Sequence, residues 1–315
     1  MTQKVSIIIA AWNAKDTILD CVKSALSQSY SHIEIIIVDD CSTDNTKAVL
    51  QDILSEHHHV KYFRTPQNSG PSAARNFGIS SASGDWIAIL DADDSFDPKR
   101  IEAMLDFAQK YDLDIAFDDL SICTGHITAP LIGHDLDDIH WTAGHYAKQN
   151  RPYVNKFITG FLKPLFKRSF LVDHGLAYHE ALRNSEDYMM ILEAIIKGAK
   201  VKFLNRPLYN YVVLGQSLSG KFNEDHHIAL IKAEKELLEA HKARLAFKDI
   251  QGIEAHIKAL EEAHISNKMF QMLREKEFVK AFIFVISNPS MLHKNISRVT
   301  RSIFSKLLKI SNRGR

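Results

Sequence analysis

Short apolar runs that alternate with helix-forming segments constrain the fold of this chain more than any other feature of its sequence. Four runs of five or six residues are rich in apolar and β-branched side chains: residues 5–10, 33–38, 60–64 and 86–90. The segments between them have helical character: residues 16–28, 43–55 and 71–80. Strands of this kind are buried on both faces, so the pattern predicts an α/β protein with a mostly parallel sheet between helices.

Polar side chains directly follow three of these runs. Ala11-Trp12-Asn13 comes after the first run, Asp39-Asp40 after the second, and Asp91, Asp93 and Asp94 after the fourth. Parallel strands end at the same edge of a sheet, and ligands of such sheets bind beyond the carboxyl ends of the strands. The sequence therefore predicts a binding crevice lined by these three strand ends.

The stretch from residue 91 to residue 94 places three carboxylates within four residues. Two carboxylates about 4 Å apart repel each other by roughly 4 kcal/mol at an effective dielectric constant of about 20. The cluster is therefore either a solvated acidic turn or a set of ligands for a divalent cation, because hard cations prefer oxygen ligands. Both interpretations stay open from this stretch alone.

Composition limits the classes of function to consider. The 315-residue chain has a formal net charge of +1, which provides no overall field for binding nucleic acid. Its three cysteines have no Cys-x-x-Cys spacing, which argues against a disulfide framework or a zinc site and favours a reducing compartment. The N-terminus lacks the apolar core of a signal peptide, and the apolar segment 278–286 is too short to span a membrane. A cytoplasmic protein is expected.

The rest of the chain divides into a less regular part and a helical end. Residues 111–117, 201–204 and 208–213 are predicted strands, residues 185–197 a predicted helix, and residues 121–155 show no clear period. From about residue 223 the composition favours long helices. The predicted organisation is an α/β domain at 1–220, with halves at about 1–110 and 111–220, and a helical region at 221–315.

Five stretches carry a resemblance to a known family. They read VSIIIAAWN, IEIIIVDDCSTDNT, NSGPSAARNFGI, GDWIAILDADD and NSEDYMMI, in this order. Together they resemble the family 2 glycosyltransferases of the GT-A fold, a Rossmann-like sheet, over about residues 4–220. Residues 163–168 and 185–188 are similar to bacterial exopolysaccharide enzymes of the succinoglycan type, which extend a lipid-linked oligosaccharide. The resemblance implies transfer of a hexose from a UDP-sugar to a glycan hydroxyl, with Mg²⁺ or Mn²⁺ at the site.

The acidic cluster takes a specific role under this resemblance. It is similar to the DxD element, in which a divalent cation bridges a carboxylate to the donor diphosphate and stabilises the charge that develops on it. Asp93 is then the first metal ligand, and Asp91 contacts the ion, an ion-bound water or the ribose. Asp94 shares either task.

The other strand ends are expected to hold the nucleotide. The resemblance implies that Asp40 accepts a hydrogen bond from the uracil ring and that Asp39 holds the loop, whereas a helix cap is the structural alternative. Trp12, between Ala11 and Asn13, either packs on the base or belongs to the core. Arg75 either binds the diphosphate or pairs with an acidic side chain such as Asp40.

Residues 185–187 supply the second part of the chemistry. Glycosyl transfer needs a base for the acceptor's proton, and an Asp with a pKa near 3.9 is ionised at pH 7. The resemblance implies that Asp187 is this base and that Glu186 supports the acceptor or the loop. One base without a nucleophile implies direct displacement with inversion. The structural alternative is that both acids simply complement the dipole of a helix start.

One stretch departs from the family pattern. Many relatives carry an Arg and a His before a Ser-x-Ser loop, but residues 211–219, YVVLGQSLS, contain neither. This loop therefore gives no prediction of a third protein ligand for the metal.

The C-terminal end is basic and amphipathic. No acidic residue follows Glu277, and seven basic residues interleave with apolar ones at helical spacing: Lys294, Arg298, Arg301, Lys306, Lys309, Arg313 and Arg315. Such a helix either binds the inner face of the cytoplasmic membrane or packs on the protein with a solvated basic side.

Two rival functions remain beside the enzyme. A non-catalytic sugar-nucleotide-binding or scaffold protein would keep the crevice and lose turnover, but the presence of both Asp93 and Asp187 favours catalysis. Nucleotidyl transfer on a similar sheet would need a Gly-rich N-terminal phosphate loop, which this sequence lacks.

Overall fold

The computed structural model describes residues 3–124, 127–133, 141–152, 159–213 and 223–275, with isolated positions between 277 and 287. The strands in these ranges are β1 (Val5–Ala11), β2 (Ile33–Asp39), β3 (Val60–Arg64), β4 (Trp86–Asp91), β5 (Ser95–Phe96), β6 (Ile115–Thr124), β7 (Ile127–Pro130), β8 (Leu165–Lys167) and β9 (Val201–Val212). The helices are α1 (Ile18–Leu26), α2 (Gln51–Glu56), α3 (Pro71–Ser81), α4 (Arg100–Lys110), α5 (Ala143–Gln149), α6 (Arg168–Asp173), α7 (Glu186–Ile196), α8 (Glu224–His241) and α9 (Phe247–Arg274).

The first four strands form the parallel core of the sheet, in the order β3-β2-β1-β4. Every residue of β2 is buried, and β1 and β4 each have a single half-buried residue. Strands without an exposed face are covered on both sides, as the continuous apolar runs predict. Ala11 pairs with Asp39, and Ala10 pairs with Asp91, so the three strands end side by side. The predicted common edge is confirmed.

The second half of the sheet is mixed. Strand β8 lies antiparallel between β4 and β6, and β9 continues the sheet parallel to β6. The two strands predicted at 201–204 and 208–213 are one strand, β9, whose register shifts opposite Asp118 and Asp119. Pro207 lies at this irregularity. A proline has no N–H to donate to a neighbouring strand, so regular pairing is interrupted there. The stretch 121–155, which shows no period, contains the end of β6, strand β7 and helix α5.

The helix predicted at 43–55 is shorter than its pattern suggests. A 3-10 turn at Ala48–Leu50 leads into α2, and residues 43–47 stay irregular. The Asp44 carboxylate accepts a hydrogen bond from the backbone of Lys15 at 3.2 Å and another from the backbone of Thr46 at 3.0 Å. Such local side-chain bonds compete with the helical hydrogen bonds of the backbone.

The predicted C-terminal helices are α8 and α9, and α9 crosses α5 at a close glycine contact. A Cβ atom added at Gly252 would lie 2.3 Å from the Cα atom of Gly144. The backbone N–H of Gly144 donates to the Asp249 carboxylate at 2.9 Å. Two backbones can approach this closely only where side chains are absent, so the glycines fix how α9 lies on the α/β part of the protein.

Within the described ranges, no helix is long and apolar enough to cross a bilayer. The predicted boundary at residue 220, the 214–219 part of the loop that lacks Arg and His, and the basic segment 292–315 lie outside the described residues.

Candidate functional site

The end of β1 is tied to the loop that follows β2. Asn13 has a positive φ of 50°, its backbone N–H donates to Ser42 Oγ at 2.8 Å, and its Oδ1 accepts from the backbone N–H of Thr43 at 2.8 Å. Ala11 is buried, but Trp12 is 53% exposed. The alternative that Trp12 is a core residue is therefore wrong, and its ring is available at the rim of the crevice.

The two acids after β2 have different partners. Asp39 Oδ1 accepts from the backbone of Ser42 at 2.8 Å, which is the loop-holding role expected for it. Asp40 is buried, and its carboxylate accepts from the backbone N–H groups of Ser69 at 2.9 Å and Gly70 at 2.6 Å. Asp40 therefore ties the end of β2 to the start of α3, where Gly70 has a φ of 93°. The capping alternative is wrong for residues 42–44, because no helix begins there.

Arg75 on α3 lies at the centre of a buried charge cluster. Its Nη2 donates to Asp91 Oδ1 at 2.7 Å, and its Nη1 donates to Glu186 Oε1 at 2.7 Å. Nη1 also lies 3.7 Å from Asp187 Oδ1. The alternative that Arg75 pairs with acidic side chains describes this structure, but the partners are Asp91 and Glu186 instead of Asp40.

Lys163 completes the cluster. Its Nζ lies 2.8 Å from Asp91 Oδ2 and 2.6 Å from Asp187 Oδ2, and its side chain is only 7% exposed. Burial alone would raise the pKa of Asp91, but Lys163 and Arg75 hold that pKa well below its usual range. Burial opposes the charge of Lys163, yet the Asp187 and Asp91 carboxylates raise the pKa of Lys163 above its usual value. Three carboxylates thus face two permanent cations, which leaves one net negative charge in the cluster.

Asp93 and Asp94 differ in exposure. Asp93 is exposed, and desolvation together with the neighbouring Asp91 raises its pKa. Asp94 is buried, where its two oxygens accept from the backbone of Val212 at 2.8 Å and from the hydroxyl of Tyr209 at 2.7 Å. Burial and the charges of Asp91 and Asp93 raise the pKa of Asp94 to about 8. Asp94 thus ties the acidic turn to β9, whereas Asp93 faces the crevice edge.

The donor atoms of this turn fit a hard cation only when other ligands join them. Carboxylate oxygens suit Mg²⁺ and Mn²⁺. The described residues contain no group of three or more His, Cys, Asp or Glu side chains placed to hold a metal ion. Mg²⁺ characteristically binds through one or two carboxylates plus substrate phosphates, so this arrangement fits a metal that arrives with a diphosphate.

Glu186 and Asp187 are the first two residues of helix α7, where acids complement the helix dipole, as the structural alternative predicts. Both residues also belong to the charge cluster. The preceding residue, Ser185, has a positive φ of 64°, a conformation that costs about 1 kcal/mol or more and persists only where surrounding contacts hold it. Asp187 Oδ1 is buried and has no hydrogen-bond partner among the described residues. The hydroxyl of Tyr146 is also buried without a hydrogen bond among the described residues, and the hydroxyl of Tyr178 lies beside Asp187; burial and the Asp187 charge raise the pKa values of both tyrosines.

The structure brings four of the ten predicted site residues into one charge cluster and adds one more residue to it. Asp91, Glu186, Asp187 and Arg75 are in direct contact, whereas Asp40 and Asn13 lie in the neighbouring strand-end loops. Lys163 is the residue that the sequence interpretation missed as a functional group. A lone lysine inside the apolar stretch FLKPLF is the signal that could have found it, because a buried lysine needs a carboxylate partner.

The comparisons with known proteins agree with this geometry. Residues 6–171 match the family profile described as Glycosyl transferase family 2. The chain belongs to glycosyl transferase family 2. It is therefore a glycosyltransferase, as its motifs imply.

One relative and two solved structures illustrate the family likeness. The chain is 31% identical to the succinoglycan biosynthesis protein ExoU of Rhizobium meliloti over 300 residues, which cover 91% of this chain and 84% of ExoU. S. aureus TarS 1-349 in complex with UDP-GlcNAc superposes with a TM-score of 0.63 at 18% identity, covering 91% of this chain and 92% of TarS. The Pyrobaculum calidifontis mannosyltransferase PcManGT, in complex with GDP-Man and Mn²⁺, gives a TM-score of 0.55 at 16% identity, covering 97% and 88%. The GT-A fold predicted from the motifs is confirmed.

Proposed function

We propose that this glycosyltransferase transfers a hexose from a UDP-sugar to a hydroxyl of a glycan acceptor with inversion at the anomeric carbon. The observation that carries the proposal is the charge cluster. It holds Asp187, with one oxygen unpartnered among the described residues, within reach of the same lysine that contacts Asp91. The side chain of Lys163 thus bridges the proposed base and the edge that would bind the diphosphate.

The nucleotide is bound at the ends of β1 and β2. Trp12 offers an exposed aromatic face for the base, flanked by Ala11 and Asn13. Asp40 orders the loop at Ser69 and Gly70 and contacts the uracil ring from the same position. Arg75 lies behind Asp91 and contributes positive charge where the diphosphate approaches.

Asp93 and Asp91 hold the divalent cation, Mg²⁺ or Mn²⁺, that accompanies the donor. Asp93 is the exposed carboxylate, and Asp91 assists through the ribose or through solvent, because both of its oxygens already pair with cations of the protein. Asp94 supports the turn from behind. When bound, the cation stabilises negative charge on the departing diphosphate. The complex of PcManGT with GDP-Man and Mn²⁺ supports a metal ion that accompanies the donor, without bearing on which residues hold it.

Asp187 performs the proton transfer. Its Oδ1 accepts the proton of the acceptor hydroxyl while that oxygen forms a bond to the anomeric carbon. The bond from the anomeric carbon to the diphosphate breaks, and its electron pair stays on the phosphate oxygen. Attack from the face opposite the leaving group inverts the anomeric configuration. Glu186 keeps Arg75 in place beside the base.

The acceptor is a growing surface polysaccharide, carried on a lipid at the inner face of the cytoplasmic membrane. The name of the relative ExoU, a succinoglycan biosynthesis protein, supports exopolysaccharide assembly as the pathway class. The basic amphipathic sequence at 292–315 supports peripheral contact with anionic lipid.

A panel of UDP-sugars tests the proposal. The protein is incubated with each sugar and a glycan acceptor, with Mn²⁺ or with chelator, and is scored by UDP release and by thermal shift. We expect one or a few UDP-hexoses to give acceptor-dependent UDP release that chelator abolishes. Thermal shift by UDP without turnover on any acceptor would favour the sugar-nucleotide-binding protein instead.

Asp187→Asn separates catalysis from binding. A general base contributes about 10²- to 10⁴-fold, so we expect transfer to fall by that factor while the affinity for UDP stays nearly unchanged. Asp173→Asn, at an exposed carboxylate on α6, is the matched control and should leave both properties intact. If UDP binding is lost together with transfer, Asp187 is a structural residue.

A further inference from the structure

Lys163 contacts the donor edge and the proposed base, but it neither binds the donor nor takes a proton in the proposed reaction. The antiparallel pairing of β8 with β4 matches Ala88 with Leu165 and Ile87 with Phe166. The same register continued by two residues brings Lys163 level with Leu90, immediately before Asp91. The topology of the sheet therefore delivers this lysine to the carboxyl end of β4.

A second buried ion pair fixes the backbone of Lys163. Arg100 is fully buried, and its Nε and Nη2 each donate to the Asp118 carboxylate at 2.8 Å. The same Nη2 donates to the carbonyl oxygen of Lys163 at 2.5 Å. Because the backbone is anchored in this way, the lysine side chain has little freedom to leave the cluster.

The ammonium group has two short contacts, one on each side of the reaction. It lies 2.8 Å from Asp91 Oδ2 at the donor edge and 2.6 Å from Asp187 Oδ2. Asp187 Oδ1, in contrast, is buried without a hydrogen bond of ordinary geometry among the described residues, and it lies 3.7 Å from Arg75 Nη1. The two oxygens of the base are therefore chemically distinct.

We propose that Lys163 is a positioning residue for glycosyl transfer, which holds Asp187 by Oδ2 so that Oδ1 receives the proton of the acceptor. This inference rests on the proposed function. A rotation of the Asp187 side chain would otherwise let either oxygen pair with Arg75 and turn the free lone pair away from the acceptor. The contact with Asp91 keeps the ammonium between the donor edge and the base, so both carboxylates keep a fixed separation.

A purely structural role makes a different prediction. A lysine that only neutralised buried carboxylates would affect stability, and its loss would lower activity independently of Asp187. A positioning residue acts through Asp187, so its loss should cost little once Asp187 has already been changed.

The test is a double-mutant cycle with Lys163→Met and Asp187→Asn, measured by single-turnover transfer from a radiolabelled UDP-sugar with Mn²⁺. We expect Lys163→Met to lower the rate of transfer about 10²-fold, within the range for loss of a general base, while UDP affinity by thermal shift changes less than about threefold. The double variant should be no more than about threefold slower than Asp187→Asn alone. Losses that multiply in the double variant would overturn the proposal.

Two further variants keep the test decisive. Lys167→Met removes the next lysine along β8, whose Nζ lies 3.9 Å from Asp114, and should leave transfer unchanged. If Lys163→Met does not fold, Lys163→Gln keeps a hydrogen-bond donor in place, and the same cycle applies to it. A wild-type protein that transfers no sugar would reject the proposed function itself, whereas an active wild type with an unchanged Lys163 variant rejects only this inference.

Discussion

At the scale of single residues, the site is unusual in how much charge it buries. Asp91, Glu186 and Asp187 share two cations, and four of these five side chains are at most 11% exposed. Buried ion pairs are seldom a source of net stability, because desolvation offsets their attraction. A need to stabilise the fold therefore does not explain the cluster, whereas the proposed proton transfer at Asp187 would.

Arg75 gives the first prediction at this scale. Arg75→Met leaves three buried carboxylates with Lys163 as their only cation among the described residues. Removing one partner of a buried ion pair costs about 3–5 kcal/mol, so we expect the free energy of unfolding in urea at pH 7.5 to fall by that amount. Arg206→Met, at an exposed arginine of β9, is the control and should change it by less than about 0.5 kcal/mol. A loss below about 1 kcal/mol for Arg75→Met would mean that water compensates the carboxylates.

At the scale of secondary-structure elements, the local sequence pattern predicted the strands and helices whose formation depends on residues close together in the chain. Strands β1, β2, β3 and β4 follow from apolar runs that are buried on both faces, and their common edge follows from parallel pairing. The acids of DADD and SEDY that the sequence singled out include Asp91, Glu186 and Asp187, which lie in one cluster.

What the sequence did not predict depends on pairing between distant parts of the chain. Strand β8 has three residues, too few for a period, and exists because β4 and β6 both pair with it. The contacts of Lys163 follow from that pairing, so the sequence around residue 163 indicates a buried lysine but not which carboxylates it contacts. The division of work between Asp93 and Asp94 depends on Tyr209 and Val212, which lie over 110 residues away in sequence.

Glu34 gives a prediction about how elements are joined at the opposite end of the sheet. Its buried carboxylate accepts from Ser6 Oγ on β1 at 2.7 Å and from the backbone of Ser83 at 2.7 Å, and Lys61 Nζ lies 2.9 Å away. Burial alone would raise the pKa of Glu34, but these donors hold it well below its usual value. The stabilisation is therefore present above the unfolded-state pKa of about 4.3 and is lost as pH falls toward the lower folded-state pKa.

Glu34→Gln should remove this contribution. Hydrogen bonds to a charged group are worth about 1.5–3 kcal/mol, so we expect the free energy of unfolding at pH 7 to fall by about 2–4 kcal/mol. The difference from the wild type should shrink as pH is lowered below about 4, because Glu34 of the unfolded wild-type chain then takes up a proton that the folded chain does not bind. Urea unfolding at several pH values measures both effects, with Glu56→Gln at an exposed site as the control. A difference that stays constant with pH would assign the effect to packing.

At the scale of the whole molecule, the C-terminal helices contact the residue next to Asp187 through one buried polar network. Tyr188, the residue after Asp187, donates its hydroxyl to Glu234 on α8 at 2.8 Å. His256 on α9 lies 2.8 Å from the same glutamate through Nδ1 and 3.1 Å from the carbonyl of Asn150 through Nε2. The three side chains are at most 3% exposed. Helices α8 and α9 therefore do more than cover the sheet, since they hold the start of α7 from behind.

A double-mutant cycle between Glu234 and His256 measures this coupling. Each single change, Glu234→Met or His256→Leu, leaves a buried polar partner unsatisfied and should lower the free energy of unfolding by about 2–4 kcal/mol. The double variant should lose at least about 1 kcal/mol less than the sum, because residues in one buried network do not act independently. The single variants should also transfer sugar more slowly at unchanged UDP affinity, since Tyr188, next to Asp187, loses one of its two buried hydrogen-bond partners. Glu236→Met, at an exposed glutamate of the same helix, should behave as the wild type. Additive losses with full activity would mean that the C-terminal helices stabilise the fold without positioning the base.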